Sequence, residues 1–326
     1  MSSTSTSKTM IRQIRIGTRA SKLALVQTAL VEQALRAAHP TLDIQIEHIT
    51  TKGDVALDRP LREIGGTGLF VAAIEEALRR GLIDLAVHSA KDLPSTLPSD
   101  MTLAAFPARA DARDVLISHE GLRLTELPQG ARIGTSSPRR ICQLLHLRPD
   151  ARVLDLRGNV DTRLRKLHDG EYDAVVLAKA GLDRLDLTET ITEILEPEVM
   201  LPAVAQGALA LETRADDPAI ASLLAPLNDE TTRLAVLAER AFLARIGGGC
   251  HAPVASHAVI ANHALSITGL LGALDGRIVR GTERGTLGEN EDAAKYAAAL
   301  GVALAERLLA SGGAELLREG GDDASK

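Results

Sequence analysis

The feature that most narrows the fold is a repeated succession along the chain. An apolar, strand-like run passes into a short polar stretch and then into a segment whose apolar residues have helical spacing. "IRIGT" (14–18) leads to "SKLALVQTALVEQALRAA" (21–38), with Ser21 as the helix-capping hydroxyl and His39-Pro40 as the stop. "LDIQIEHI" (42–49) alternates as a strand, "FVAAIEEALRRG" (70–81) is a helix with a glycine stop, and "IDLAVHSA" (83–90) is a buried strand ending in polar residues. The succession resumes with "ARIGT" (131–135), "SPRRICQLLHLRP" (137–149), "ARVLDLRG" (151–158), "VDTRLRKLHDG" (160–170) and "YDAVVLAKAGL" (172–182). Such alternation predicts parallel α/β sheets.

The last hundred residues break the pattern. A helix at about 230–246 precedes "GGGC", strand-like runs follow ("APVASHAVI", "HALSITGLLG", "RIVRGTERG"), and a helix is expected at about 290–310. With 326 residues the chain exceeds a typical single domain. The expected architecture is two α/β domains with a cleft between them and a smaller α+β domain carrying Cys250. The stretch 50–68 has mixed charge and no period and reads as a mobile loop; the tail "GGDDASK" reads as frayed.

Charge and composition exclude several functions. A net charge of −6 argues against nucleic acid as the bulk partner, and 2% aromatic residues leave no base-stacking platform. The polar start "MSSTSTSKTM" reads as a disordered leader rather than a signal peptide, and no apolar run approaches the ~18–20 residues of a membrane span. Two cysteines, Cys142 and Cys250, make neither a disulfide framework nor a metal site, so a reducing, cytoplasmic setting is expected. "GGTG" (65–68) lacks the following GK[ST] of a phosphate-binding loop.

In open α/β sheets ligands bind at the carboxyl ends of strands, and four polar stretches fall there: "GTRAS" (17–21), "HSAKDLPS" (88–95), "GTSSPRR" (134–140) and "LRGNVDTR" (156–163). Ser137 before Pro138 marks a helix start whose free N–H groups favour an anion. Arg139 and Arg140 there repel each other and oppose the helix dipole unless an anion answers them. Arg157, Arg163, Arg184 and Arg19 share strand-end positions, and several Arg converging on one cleft suit a ligand with several carboxylates. Lys91-Asp92 reads equally as a cleft-facing pair, its carboxylate offsetting a cation, or as a capping Asp beside a solvated Lys. Cys142, among Ile141, Leu144 and Leu145, is core. Cys250, in a glycine loop, is a nucleophile or an attachment point, and the adjacent His251 is a poor geometric base.

"GTRASKLAL", "HSAKDLP", "GTSSPRR", "LRGNVDTRL", "DAVVLAKAGLDRL", "AQGALALE" and "GGGCHAPVA", in that order over residues 11–315, resemble hydroxymethylbilane synthases, also called porphobilinogen deaminases. The resemblance implies a monomeric transferase that joins four porphobilinogen molecules head to tail with loss of ammonia, on a dipyrromethane cofactor held by a thioether to a cysteine matching Cys250. It implies that Asp92 is the catalytic carboxylate stabilising an azafulvene-like cation, with Lys91 beside it. Thr135, Ser136, Ser137, Arg139, Arg140, Arg163 and Arg184 match cofactor-binding positions, and Arg19, Ser21 and Arg157 match substrate-binding ones. It implies two domains like periplasmic binding proteins: 11–107 with 206–228, carrying the Lys-Asp pair, and 108–205, with 229–326 as the third domain and "LPAVAQGAL" (201–209) as a return crossing. The alternative from another class is a non-catalytic anion-binding module of periplasmic type, which would not need "GGGC" or the Lys-Asp pair. Thr67 and Ala90 stand where the family often has Lys and Met, His251 is an unusual neighbour of the cysteine, and Cys142 replaces a common Ala.

Overall fold

The computed structural model describes residues 11, 13–49, 68–247, 252–288 and 292–322. The expected mobile loop as far as Thr67, Cys250 and His251 lie outside these residues, as does the end of the tail; residue 68, expected in that loop, instead begins a helix.

The chain divides into two compact units: 1–88, 98–105 and 210–228 form the first, and 89–97, 106–209 and 229–326 the second. The first is built on a five-stranded sheet of β1 (Gln13–Thr18), β2 (Asp43–His48), β3 (Leu85–Ser89), β4 (Met101–Ala105) and β10 (Leu209–Arg214), in the order β2-β1-β3-β10-β4. Around it run α1 (Lys22–Ala38), α2 (Gly68–Arg79) and α6 (Pro218–Leu224). Ser21 caps α1 as expected, its Oγ accepting from Ala24 N at 3.3 Å. Ile14, Ile16, Leu85 and Ala86 are fully buried, as strands covered on both faces require.

The second unit holds another five-stranded sheet, β7 (Arg152–Leu154), β6 (Arg132–Gly134), β8 (Ala174–Ala178), β5 (Asp114–Ser118) and β9 (Glu193–Leu195), in that order. The helices α3 (Pro138–Leu147), α4 (Val160–His168) and α5 (Lys179–Arg184) follow β6, β7 and β8. Both sheets therefore share one plan: three strands in the order second-first-third, then one strand from elsewhere in the chain, then an edge strand. The expectation of parallel sheets needs correction. β6 pairs in parallel with β7 and β8, but β5 is antiparallel to β8 and β9, and β10 is antiparallel to β4. These strands enter by long non-local connections, which local alternation does not report.

The α+β module follows as expected. Helix α7 (Glu230–Ile246) and helix α8 (Ala293–Leu308) pack on the antiparallel sheet β11 (Val254–Ala261), β12 (Ala264–Gly272), β13 (Ile278–Thr286) around Phe242, Leu265, Ile267 and Leu304. A last helix, α9 (Ala314–Asp322), extends into the stretch expected to fray. The helical stretch Ala293–Arg318 is long and apolar enough to cross a membrane by length and composition, contrary to the expectation that no run is. Its residues Ala297, Gly301, Leu304, Ala305 and Leu308 are buried against the module's own core.

Candidate active site

Strand β3 ends in a single 3-10 turn, Ala90–Asp92, pinned where Ala90 N donates to Ala208 O at 3.0 Å and Leu93 is buried. The turn leaves Asp92 exposed, and among the described residues its carboxylate carries no hydrogen bond or ion pair. Lys91 beside it is half-buried, its ammonium 3.4 Å from Gln206 Oε1. Burial brings the Lys91 pKa down to about 8; Asp92 and Asp114 oppose the shift, and Arg140 and Arg139 add to it.

On α3 the helix start is where the sequence places it, with Pro138 in the first turn and Ser137 in extended conformation as the N-cap. The expected capping hydroxyl is absent: Ser137 Oγ makes no cap hydrogen bond, and the Ser137 N–H instead donates to Thr135 Oγ1 at 3.2 Å. Ser136 Oγ is fully engaged, donating to Leu156 O at 2.8 Å and accepting from Leu156 N at 3.0 Å. Of the three hydroxyls, that of Ser137 alone has no partner among the described residues.

Arg139 and Arg140 are both buried, and a buried carboxylate answers them. Arg139 Nη1 reaches Asp114 Oδ2 at 2.6 Å, and Arg140 Nη2 reaches Asp114 Oδ1 at 2.7 Å. Burial alone would raise the Asp114 carboxyl; the two guanidiniums outweigh it and hold the group well below the usual carboxylate range. Arg140 is lowered by burial, with Asp114 opposing. Gln206 Nε2 donates to Ala112 O at 2.7 Å and to the same Asp114 Oδ1 at 3.0 Å.

Arg163 and Arg184 are half-buried and differently placed. Arg163 Nε donates to Gly158 O at 2.8 Å, and Arg184 Nη2 to Gly207 O at 2.8 Å; neither has a carboxylate in an ion pair among the described residues. Burial, with Arg140, brings the Arg163 pKa down to about 10 against the pull of Asp92 and Asp155. Burial also lowers Arg184, with Asp183 opposing. Arg157 is exposed and paired with Asp155 at 2.8 Å. Arg19 and Ser21 stand in the first unit, at the end of β1 and the start of α1. Cys142 is fully buried, its thiol pushed up to about 12 by desolvation, and it behaves as core.

Among the described residues the cations of Lys91, Arg139, Arg140 and Arg163 are thus coupled with three carboxylates: Asp114 is consumed internally, Asp155 is paired with Arg157, and Asp92 is open. Such a cluster is suited to a polyanion, with one carboxylate placed to meet a cation. Sequence reading gave no role to Asp114 or Gln206. The available signals were an Asp at the head of the buried run "DVLIS" and a Gln between Ala205 and Gly207.

Comparison with known proteins adds three observations. Residues 14–222 match the family described as "Porphobilinogen deaminase, dipyromethane cofactor binding domain", and 233–310 match "Porphobilinogen deaminase, C-terminal domain". A porphobilinogen deaminase of Roseiflexus castenholzii is 60% identical over 308 residues, 94% of this chain and 99% of that protein. One from Syntrophotalea carbinolica is 52% identical over 305 residues, 93% of this chain and 95% of that protein. Among solved structures, the periplasmic VFT2 domain of Bordetella pertussis BvgS is similar at a TM-score of 0.42 and 16% identity, covering 66% of this chain and 86% of that one.

Proposed function

The chain belongs to the porphobilinogen deaminase family, and on that premise we propose how its own residues divide the work. It is an enzyme, a transferase of tetrapyrrole biosynthesis that joins four porphobilinogen molecules head to tail into hydroxymethylbilane, with ammonia released at each addition. The catalytic reading displaces that of a non-catalytic anion-binding module.

The family's cofactor is dipyrromethane. Its acetate and propionate arms need cations that no internal carboxylate already holds. Arg163 and Arg184, hydrogen-bonded among the described residues only to carbonyls, meet that need, and the Ser137 hydroxyl, open among the same residues, adds a donor. The residues present fit the group. Bound through Cys250, dipyrromethane would supply a fixed pyrrole for the product to extend from. Arg163, Arg184 and Ser137 hold its arms, while Arg139, Arg140, Thr135 and Ser136 shape the seat.

Asp92 is the catalytic residue. Its carboxylate accepts the pyrrole N–H of the incoming substrate. It also stabilises the positive charge that develops as the carbon–nitrogen bond breaks and the amine leaves with the electron pair. The same carboxylate stays beside the substrate methylene and takes up the pyrrole α-proton released as the new carbon–carbon bond forms. Lys91 holds a substrate carboxylate next to this centre, and Arg19, Ser21 and Arg157 hold the others. Tethering at Cys250 makes each addition local. The reading extends to a cytoplasmic monomer acting on porphobilinogen, without nucleic acid or membrane, and to functional domains at 11–107 with 206–228, at 108–205 and at 229–326.

The single observation that carries the proposal is the exposed carboxylate of Asp92, without a hydrogen bond or ion pair among the described residues and with Lys91 and Arg163 coupled to it. Asp92→Asn removes the charge and keeps the shape. Turnover should fall by about 10²-fold or more, the scale of lost electrostatic stabilisation, with the fold unchanged by circular dichroism. Turnover near that of the parent would remove Asp92 from the reaction.

A further inference from the structure

The segment 201–209 contains strain with an evident restraint. Ala205 is fully buried at φ +58°, a conformation that residues with a Cβ avoid. Gly207 follows at φ +88°, and a Cβ there would lie 2.5 Å from Ala110 O. The backbone is held on three sides: Ala205 N donates to Glu239 Oε2 at 2.5 Å, Arg109 Nε to Gln206 O at 2.8 Å, and Arg184 Nη2 to Gly207 O at 2.8 Å. Strain over-determined in this way points to function.

What the turn aims is the Gln206 side chain, 1% exposed. Both amide N–H groups go to oxygens, Ala112 O at 2.7 Å and Asp114 Oδ1 at 3.0 Å, which fixes the amide's orientation and leaves Oε1 as an acceptor. Oε1 faces Lys91 Nζ at 3.4 Å, the one hydrogen bond of that ammonium among the described residues. One buried amide thus joins Lys91 to the carboxylate beneath Arg139 and Arg140.

We propose that Gln206 is the positioning residue for Lys91: its Oε1 holds the ammonium beside Asp92, and its N–H groups tie that hold to Asp114. The inference rests on the role given to Lys91 above. The charges acting on the ammonium are Asp92 and Asp114, which favour it, and Arg140 and Arg139, which oppose it. The amide oxygen adds a neutral acceptor that also favours the charged form. Gln206→Met removes that acceptor with little change in volume. Gln206→Asn keeps the amide but withdraws it by one methylene.

The test reads Lys91 directly. The holoenzyme is pulsed with acetic anhydride across pH, and labelling of the Lys91 peptide is followed by mass spectrometry beside the pH profile of kcat/KM. The labelling midpoint should fall by about one pH unit in Gln206→Met, a tenfold change in the charged-to-neutral ratio at fixed pH. It should fall by less in Gln206→Asn, which decides the matter if the first variant does not fold. The alkaline limb of kcat/KM should move with it. Midpoints equal to the parent's overturn the proposal. A shifted midpoint with an unmoved kcat/KM profile upholds the positioning and instead removes Lys91 from the reaction.

Discussion

Arg139 Nη1 lies 2.6 Å from Asp114 Oδ2 at the start of α3, and the other oxygen of the same buried carboxylate holds Arg140. Two adjacent guanidiniums at the positive end of a helix dipole become tolerable because an anion from β5 sits between them. Asp114→Asn should cost about 3–5 kcal/mol, the scale for a buried pair deprived of one partner, seen as a fall in the urea midpoint. The pH dependence has a definite sign. The folded Asp114 carboxyl lies below its unfolded value, so its contribution is complete above ~4 and is lost only as pH falls through the folded value. The gap between variant and parent should stay constant from about pH 5 to 8 and close only in strong acid; a gap that changes across neutrality would contradict the assignment.

The neighbouring hydroxyls of Ser136 and Ser137 should separate stability from binding. Ser136 Oγ makes two bonds to the Leu156 backbone, so Ser136→Ala should lower stability by about 1–2 kcal/mol. Ser137 Oγ has no partner among the described residues, so Ser137→Ala should leave stability within about 0.5 kcal/mol while raising KM or slowing cofactor loading. Thermal melts beside kinetics check both, and a reversed pattern would mean that Ser136 serves the ligand.

Residues whose behaviour depends on near neighbours were legible in the sequence. The cap at Ser21, the helix start at Pro138 and the core thiol of Cys142 all follow from a few adjacent positions. Residues whose partners lie far along the chain were not. The double Arg at 139–140 announced a need for an anion, but Asp114 stands 25 positions upstream of Arg139, on a strand whose antiparallel pairing no local pattern reveals. Gln206 likewise gains its meaning from Ala112, Asp114 and Lys91. Lys91-Asp92 could be read two ways because the spacing says nothing of whether a carboxylate is capped or open; in the fold it is open.

A buried acidic cluster in the first unit gives a second pH signature. His88 Nε2 meets Glu212 Oε2 at 2.9 Å, Glu212 Oε1 is buried with no hydrogen-bond partner among the described residues, and Glu75 lies 3.5 Å from Arg79. Burial first and Glu212 second raise the Glu75 carboxyl, against the pull of Arg79 and His88. A raised carboxyl contributes its stability in full below the unfolded value near ~4.3 and loses it as pH rises through the folded value. Glu75→Gln, neutral throughout, should therefore gain on the parent by about 2 °C in Tm between pH 4 and 7.5. An offset independent of pH would show that the Glu75 charge is not strained.

In the proposed reaction Asp92 drives extension from a cofactor anchored at Cys250. This is tested most directly by intact mass of the denatured protein after limiting porphobilinogen is added to the parent, to Asp92→Asn and to Cys250→Ala. The parent should carry the mass of a dipyrromethane and show a ladder of single-pyrrole additions, Asp92→Asn the dipyrromethane without the ladder, and Cys250→Ala neither. A ladder on Asp92→Asn equal to the parent's, or covalent pyrrole mass on Cys250→Ala, would contradict it.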